Sequence, residues 1–134
     1  MPVADLRPAL RAFLLADLAI AEAVGLQRVF PVILKQGENK PSIVYNLVSD
    51  NTDHVTEGPS GLVTARYQID CWSLLQDTSS ELDRLVKDRL DGYSGPMGAI
   101  DVQGVFSETG WTGYEDASKL FRATRDYMIH YGER

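Results

Sequence analysis

The chain has 134 residues, of which 44% are hydrophobic and 24% charged, so we expect one globular domain spanning 1–134 with a single core. Its net charge of −6 disfavours a dedicated nucleic-acid binder, because an acidic surface repels phosphate, but suits a protein that nucleic acid slides past. No segment is long and apolar enough to cross a bilayer, and the first residues offer no signal-peptide pattern. The single cysteine, Cys71, excludes an internal disulfide and fits a reducing, cytoplasmic origin.

Residues 3–24 are rich in Ala and Leu. At helical spacing Leu6, Leu10, Phe13, Leu14, Ala21 and Val24 share a face. Asp17 falls in the middle of that face, where a buried charge is costly. We therefore expect a break, with Asp5 capping a first helix and Asp17 capping a second from Leu18 to Val24, ended by Gly25. Residues 28–36 read as a connector, since Pro31 argues against a central strand. A strand follows over 42–49. Residues 50–61, with Gly58, Pro59 and Gly61, are expected to form a polar loop longer than a tight turn.

The clearest strand is 62–72. Val63, Ala65, Tyr67, Ile69 and Cys71 alternate with Thr64, Arg66, Gln68 and Asp70, so one side is buried and the other faces solvent or a partner. Thr78, Ser79, Ser80 and Glu81 have the pattern of a capping box before a helix that buries Leu82, Leu85, Val86 and Leu90 and stops at Gly92. Residues 92–98 read as a loop. A strand over 100–114 has a bulge expected at Gly104. A turn at 115–118 leads into a last strand over 119–131. Arg125 interrupts that strand's apolar parity, which implies a bulge or a buried ion pair. The order α-α-β-β-α-β-β predicts an α+β fold: a mainly antiparallel four-stranded sheet with the helices packed on one face.

No constellation for catalysis emerges, and we expect no enzyme. Cys71 lies on the apolar parity of its strand and reads as a buried structural thiol. His54 sits near Asp50, Asp53 and Glu57, but their spacing matches no EF-hand or zinc pattern, so no metal and no cofactor are expected. His130 alternates away from the apolar face and reads as a surface residue. Phosphate-cradle, dinucleotide and nucleophile-elbow motifs are absent from the sequence. Trp111, Tyr114 and Tyr93 lie near loops, as core rim or partner contacts.

Several stretches together carry a resemblance. They are Leu14-Leu15-Ala16-Asp17 with Val24-Gly25, then Arg28-Val29-Phe30-Pro31 and Pro41-Ser42-Ile43-Val44-Tyr45. Gly58-Pro59-Ser60-Gly61-Leu62 runs into Arg66-Tyr67-Gln68-Ile69-Asp70-Cys71-Trp72, and the end matches through Tyr114-Glu115, Leu120-Phe121-Arg122 and Asp126-Tyr127. In this order the chain resembles the small tail-completion or tail-terminator family of long-tailed bacteriophages and gene-transfer particles. The resemblance implies a structural role in the virion tail and neck, with assembly in the bacterial cytoplasm. Copies would form a ring, a hexamer by the sixfold symmetry of such tails, at the head-proximal end of the tail tube. The ring would stop tube growth and face the neck or head-completion protein, and DNA would pass its lumen without specific binding.

A ring needs two different patches per subunit. Arg66, Gln68 and Asp70, with Arg122, Thr124, Asp126 and Trp111, are the candidate ring interface. Asp50, Asn51, Asp53, His54 and Glu57 are the candidate docking loop toward the tube or an adjacent ring. Two other readings remain: a head-completion protein on the portal side, and a small-ligand module or enzyme using His54 and Asp53.

Overall fold

A computed structural model of the protein describes residues 5–55 and 58–132, with the backbone alone described for 52–55 and 58–61. Helix α1 runs from Leu6 to Leu15 and α2 from Leu18 to Ala23. Between them the chain breaks as the misplaced charge requires. The Asp17 carboxylate accepts from Ile20 N at 3.2 Å, and the Asp5 carboxylate accepts from Arg7 N at 3.0 Å. Each thereby satisfies an amide that has no partner within its helix. Gly25 then turns the chain at φ 63°, a conformation that favours glycine.

The strands are β1 (Val29–Pro31), β2 (Ser42–Val55), β3 (Gly58–Ser73), β4 (Gly95–Met97), β5 (Ile100–Glu115) and β6 (Leu120–Gly132), with α3 (Gln76–Leu90) between β3 and β4. This overturns the expected four-stranded antiparallel α+β sheet. The protein is mostly β, with one six-stranded, curled, mixed sheet in the order β1-β2-β3-β6-β5-β4. β1 pairs with β2 in parallel, and the other neighbours are antiparallel.

The two added strands come from segments read as a connector and a loop. Each has three residues, lies at a sheet edge and contains a proline, Pro31 or Pro96. Proline excludes a central strand but not an edge, where its missing N–H need serve no outer neighbour. The expected polar loop over 50–61 is also overturned. β2 and β3 continue as a hairpin whose register reaches Val55 opposite Gly58.

Helix α3 begins earlier than the expected capping box. Leu75 occupies the N-cap without a side-chain cap bond. Ser79 lies inside the helix and donates its hydroxyl to Gln76 O at 2.9 Å. A serine one turn in can return its hydroxyl to the backbone and so does not mark the helix start.

Leu10 and Leu14 of α1, Ile20 of α2, and Leu82, Val86 and Leu90 of α3 pack with the inward residues Val63, Ala65, Tyr67, Ile69 and Cys71 of β3. Ala123, Tyr127 and Ile129 of β6 extend the same core. Arg125 resolves into both alternatives at once. Its guanidinium reaches Asp83 of α3 at 3.1 Å, with side chains 21% and 16% exposed. The β5–β6 register also slips between Ser107 and Gly110, directly beside Arg125. Gly110 makes room for it, since a Cβ there would lie 2.7 Å from the Arg125 guanidinium. The other register slip falls between Val102 and Gly104, where glycine suggested a bulge.

Candidate functional site

The sheet face away from the helices gathers residues from three strands. In register, Arg66 faces Met128, Gln68 faces Asp126, Asp70 faces Thr124, and Trp72 faces Arg122. Trp111 of β5 lies opposite Thr124 on its other side. The seven residues singled out as a ring interface therefore form one surface. Period-two alternation places them there, because neighbours across an antiparallel ladder share a face.

The surface is internally bonded. Arg66 Nη1 lies 3.2 Å from the Asp126 carboxylate. Thr124 Oγ1 donates to Asp70 Oδ1 at 2.7 Å, and Gln68 Nε2 donates to the same atom at 3.3 Å. Burial raises the Asp70 pKa above the ordinary carboxylate value, while the bond from Thr124 and the charge of Arg122 oppose that shift. Burial wins because water no longer solvates the anion.

One end of this face is apolar. Val44, Trp72 and Leu120 form a second cluster, with Phe30 and Leu34 packed against it. Val44, Trp72, Leu120 and Leu34 line a groove of 970 Å³ between residues 32–39 and the β5–β6 turn, with Asp70 and Arg122 in its wall. The Arg122 guanidinium lies 5.4 Å from the Trp72 ring centre. Trp72 Nε1 is buried without a hydrogen-bond partner among the described residues. The sequence reading gave this groove no role. Its signal was legible: Trp72, Leu120 and Val44 stand on the same parity as the polar residues, so apolar side chains there cannot belong to the helix-side core.

The expected docking residues divide. Asp50 and Asn51 are exposed on β2, in register with Ala65 and Thr64. His54 is in register with Pro59. The side chains of Asp53 and His54, and the whole of Glu57, lie outside the described residues.

Other singled-out groups serve packing. Cys71 is fully buried, and burial pushes its thiol well above the usual value, away from the reactive thiolate. His130 is half-buried on the helix-free face, with Nδ1 2.9 Å from Thr64 Oγ1 and its ring edge-on to Phe106. Tyr93 packs on Phe13 with ring centres 4.5 Å apart. Trp111 and Tyr114 stay exposed at 43% and 51%. Among the described residues, no three His, Cys, Asp or Glu side chains converge as metal ligands would.

The architecture recurs among solved structures. A chain of a structure described as the virion of a native gene transfer agent particle superposes with a TM-score of 0.74 at 15% identity, covering 96% of this chain and 95% of that one. At that identity the likeness is one of fold. Among curated proteins, none matches the chain significantly. The family described as tail completion protein gp17 matches residues 8–132, nearly the whole of the described fold. The chain belongs to the tail completion protein gp17 family.

Proposed function

We propose that the protein is a structural subunit that completes the tail of a phage or gene-transfer particle. The observation that carries this reading is the family match over residues 8–132; the fold shared with a chain of a gene-transfer-agent virion is consistent with it. In this reading copies form a ring, a hexamer, on the head-proximal end of the tail tube. The ring ends tube growth and offers its other side to the neck or head-completion protein. The surface around Arg66, Gln68, Asp70, Arg122, Thr124, Asp126 and Trp111 supplies subunit contacts, and the β2–β3 hairpin reaches the tube or an adjacent ring. Assembly takes place in the bacterial cytoplasm, and the role requires no catalysis.

The test is deletion of the gene from a producing strain, followed by electron microscopy of the particles. Tails of uncontrolled length or tails detached from heads are expected, with rescue by the intact gene. Normal tails on normal heads in the deletion strain would refute the reading. The mass of tails isolated from the rescued strain gives the copy number, and a single copy per tail would refute the ring.

A further inference from the structure

Each long edge of the sheet is covered at one end and open at the other. β1 pairs with β2 only from Ile43 to Tyr45, and Val32 N then donates to Tyr45 O at 2.8 Å. Beyond Tyr45, β2 continues to Val55 with β3 as its sole ladder neighbour among the described residues. On the far side β4 pairs with β5 only from Ile100 to Val102. Gly92 N next donates to Val105 O at 2.8 Å, and the Asp91 carboxylate accepts from Ser107 N at 2.9 Å. From Glu108 to Glu115, β5 has only β6 beside it among the described residues.

The composition of these edges is uneven in a telling way. Proteins blunt exposed strand edges with proline, with charged side chains, lysine above all, and with β-bulges. Both covering strands carry a proline, Pro31 in β1 and Pro96 in β4. The open stretches 46–55 and 108–115 contain no proline, lysine or arginine. They expose apolar side chains instead: Val48 is 50% exposed on one, and Trp111 and Tyr114 stand out on the other. Proline thus sits where the edge is already covered, whereas the open stretches are guarded only by acidic side chains and by register slips at Leu47/Ser49, Thr52/His54 and Ser107/Gly110.

The two open stretches also fit each other. Three antiparallel steps separate β2 from β5 across the sheet, so the two strands run in opposite directions. A second copy in the same orientation brings its β2 antiparallel to the β5 of the first. The stretches lie at diagonally opposite corners, since β2 opens toward its end at Val55 and β5 opens toward its end at Glu115. Meeting requires a shift along the strands, which also clears β1 and β4 from each other's path.

We infer that β5 of one copy adds to β2 of the next along residues 108–115 and 46–55, head to tail, so that one sheet continues from subunit to subunit. This rests on the ring reading above and adds to the face contacts proposed there a seam along the sheet edges, with Trp111 common to both. A head-to-tail contact between different patches gives a ring when the rotation between copies closes, and an open filament when it does not. Both stretches are acidic, with Asp50, Asp53, Glu108 and Glu115. The seam therefore depends on backbone hydrogen bonds and apolar contact, and salt strengthens it by screening the like charges.

The test uses tails assembled with a chain carrying Asn51→Cys and Thr112→Cys, treated with a flexible bis-maleimide that tolerates a small register error. Cys71 is fully buried, so the parent chain is a silent control. A ladder of covalent multimers ending at the ring size is expected from the double variant, and monomers from each single variant. Dimers from Asn51→Cys alone would mean a two-fold β2–β2 seam and would overturn the inference. Monomers from the double variant, in tails whose mass still reports a ring, would overturn the seam and leave the ring standing. A single copy per tail would overturn the ring reading and the seam with it. Ser49→Cys with Tyr114→Cys is the second pair, should the first not fold, because two residues back on β2 lie opposite two residues on in an antiparallel β5.

Discussion

Asp17 shows how one residue that breaks a pattern can be more informative than those that keep it. Its charge on an apolar helical face left the sequence only a helix break, and its carboxylate accepts from Ile20 N. Asp17→Ala is expected to lower stability by about 0.5–2 kcal/mol, and Asp17→Asn to be nearly neutral. Urea denaturation measures both, and equal losses in the two variants would contradict the capping role. Arg125 was legible in the same way, as an interruption of an apolar strand face, although its partner Asp83 comes from a different element and no local pattern names it. Asp70 was legible as a polar residue but not as a buried one, because its burial depends on the apolar cluster of Val44, Trp72 and Leu120 beside it. Its folded pKa is raised, first by burial, so its carboxyl holds a proton more tightly in the folded chain. Its contribution to stability is complete below the ordinary value of 3.8 and is lost as pH rises through the higher folded value. Asp70→Asn retains an acceptor oxygen for Thr124 and removes the charge. Its stability relative to the parent is expected to be higher at neutral pH and to converge on the parent's in acid. Denaturation curves across that range test this, and a loss of stability independent of pH would count against it.

At the scale of elements, long periodic segments were readable and short ones were not. The alternation in 62–72 and the helical spacing of Leu82, Val86 and Leu90 reflect burial against one face, which local sequence records. β1 and β4 have three residues each, too few to show a period, and their prolines argued for coil. The hairpin arm was hidden for another reason: Gly58, Pro59 and Gly61 are turn formers, yet after a register slip past Gly61 the ladder resumes with Pro59 opposite His54 and Gly58 opposite Val55. β6 pairs with β3 from Leu62 onward, so the distal arm stands beyond the shared sheet. Replacing residues 53–62 by Asn-Gly would join Thr52 to Val63, which are already in register, through a two-residue turn of a favoured type. The fold is expected to survive, with a melting temperature within a few degrees of the parent, because the core residue Val63 is kept. Tail completion is expected to fail in a complemented deletion strain, read as infectious or transducing titre and as tail length. Normal titre and normal tails from a folded variant would reduce the arm to a connector.

For the whole molecule, composition indicated a single core, but the sheet's connectivity was out of reach. β3 and β6 are neighbours in the sheet although α3, β4 and β5 lie between them in sequence, and such pairing is decided by the shared core rather than by any local signal. The candidate surface was more legible than the fold, because parity alone puts Arg66, Gln68 and Asp70 on one side of β3 whichever strand lies next to it. Charge is the other property set at this scale. Acidic residues number 19 against 13 basic ones, and the proposed ring would multiply that excess by its copy number. Sequence-independent DNA binding arises when lysine and arginine displace the cations condensed on phosphate, and typically gives a Kd of about 10⁻⁴–10⁻⁶ M at physiological salt. A net acidic chain lacks that driving force over most of its surface, and the proposed ring, through which DNA would travel, has no use for it. The isolated protein is therefore expected to leave the fluorescence anisotropy of a labelled duplex unchanged at physiological salt. Lowering the salt is expected to change nothing, because weaker screening extends repulsion as well as attraction. Binding within that range of Kd, strengthening as salt falls, would reveal a basic track that outweighs the net charge and would overturn the view of a surface past which DNA slides.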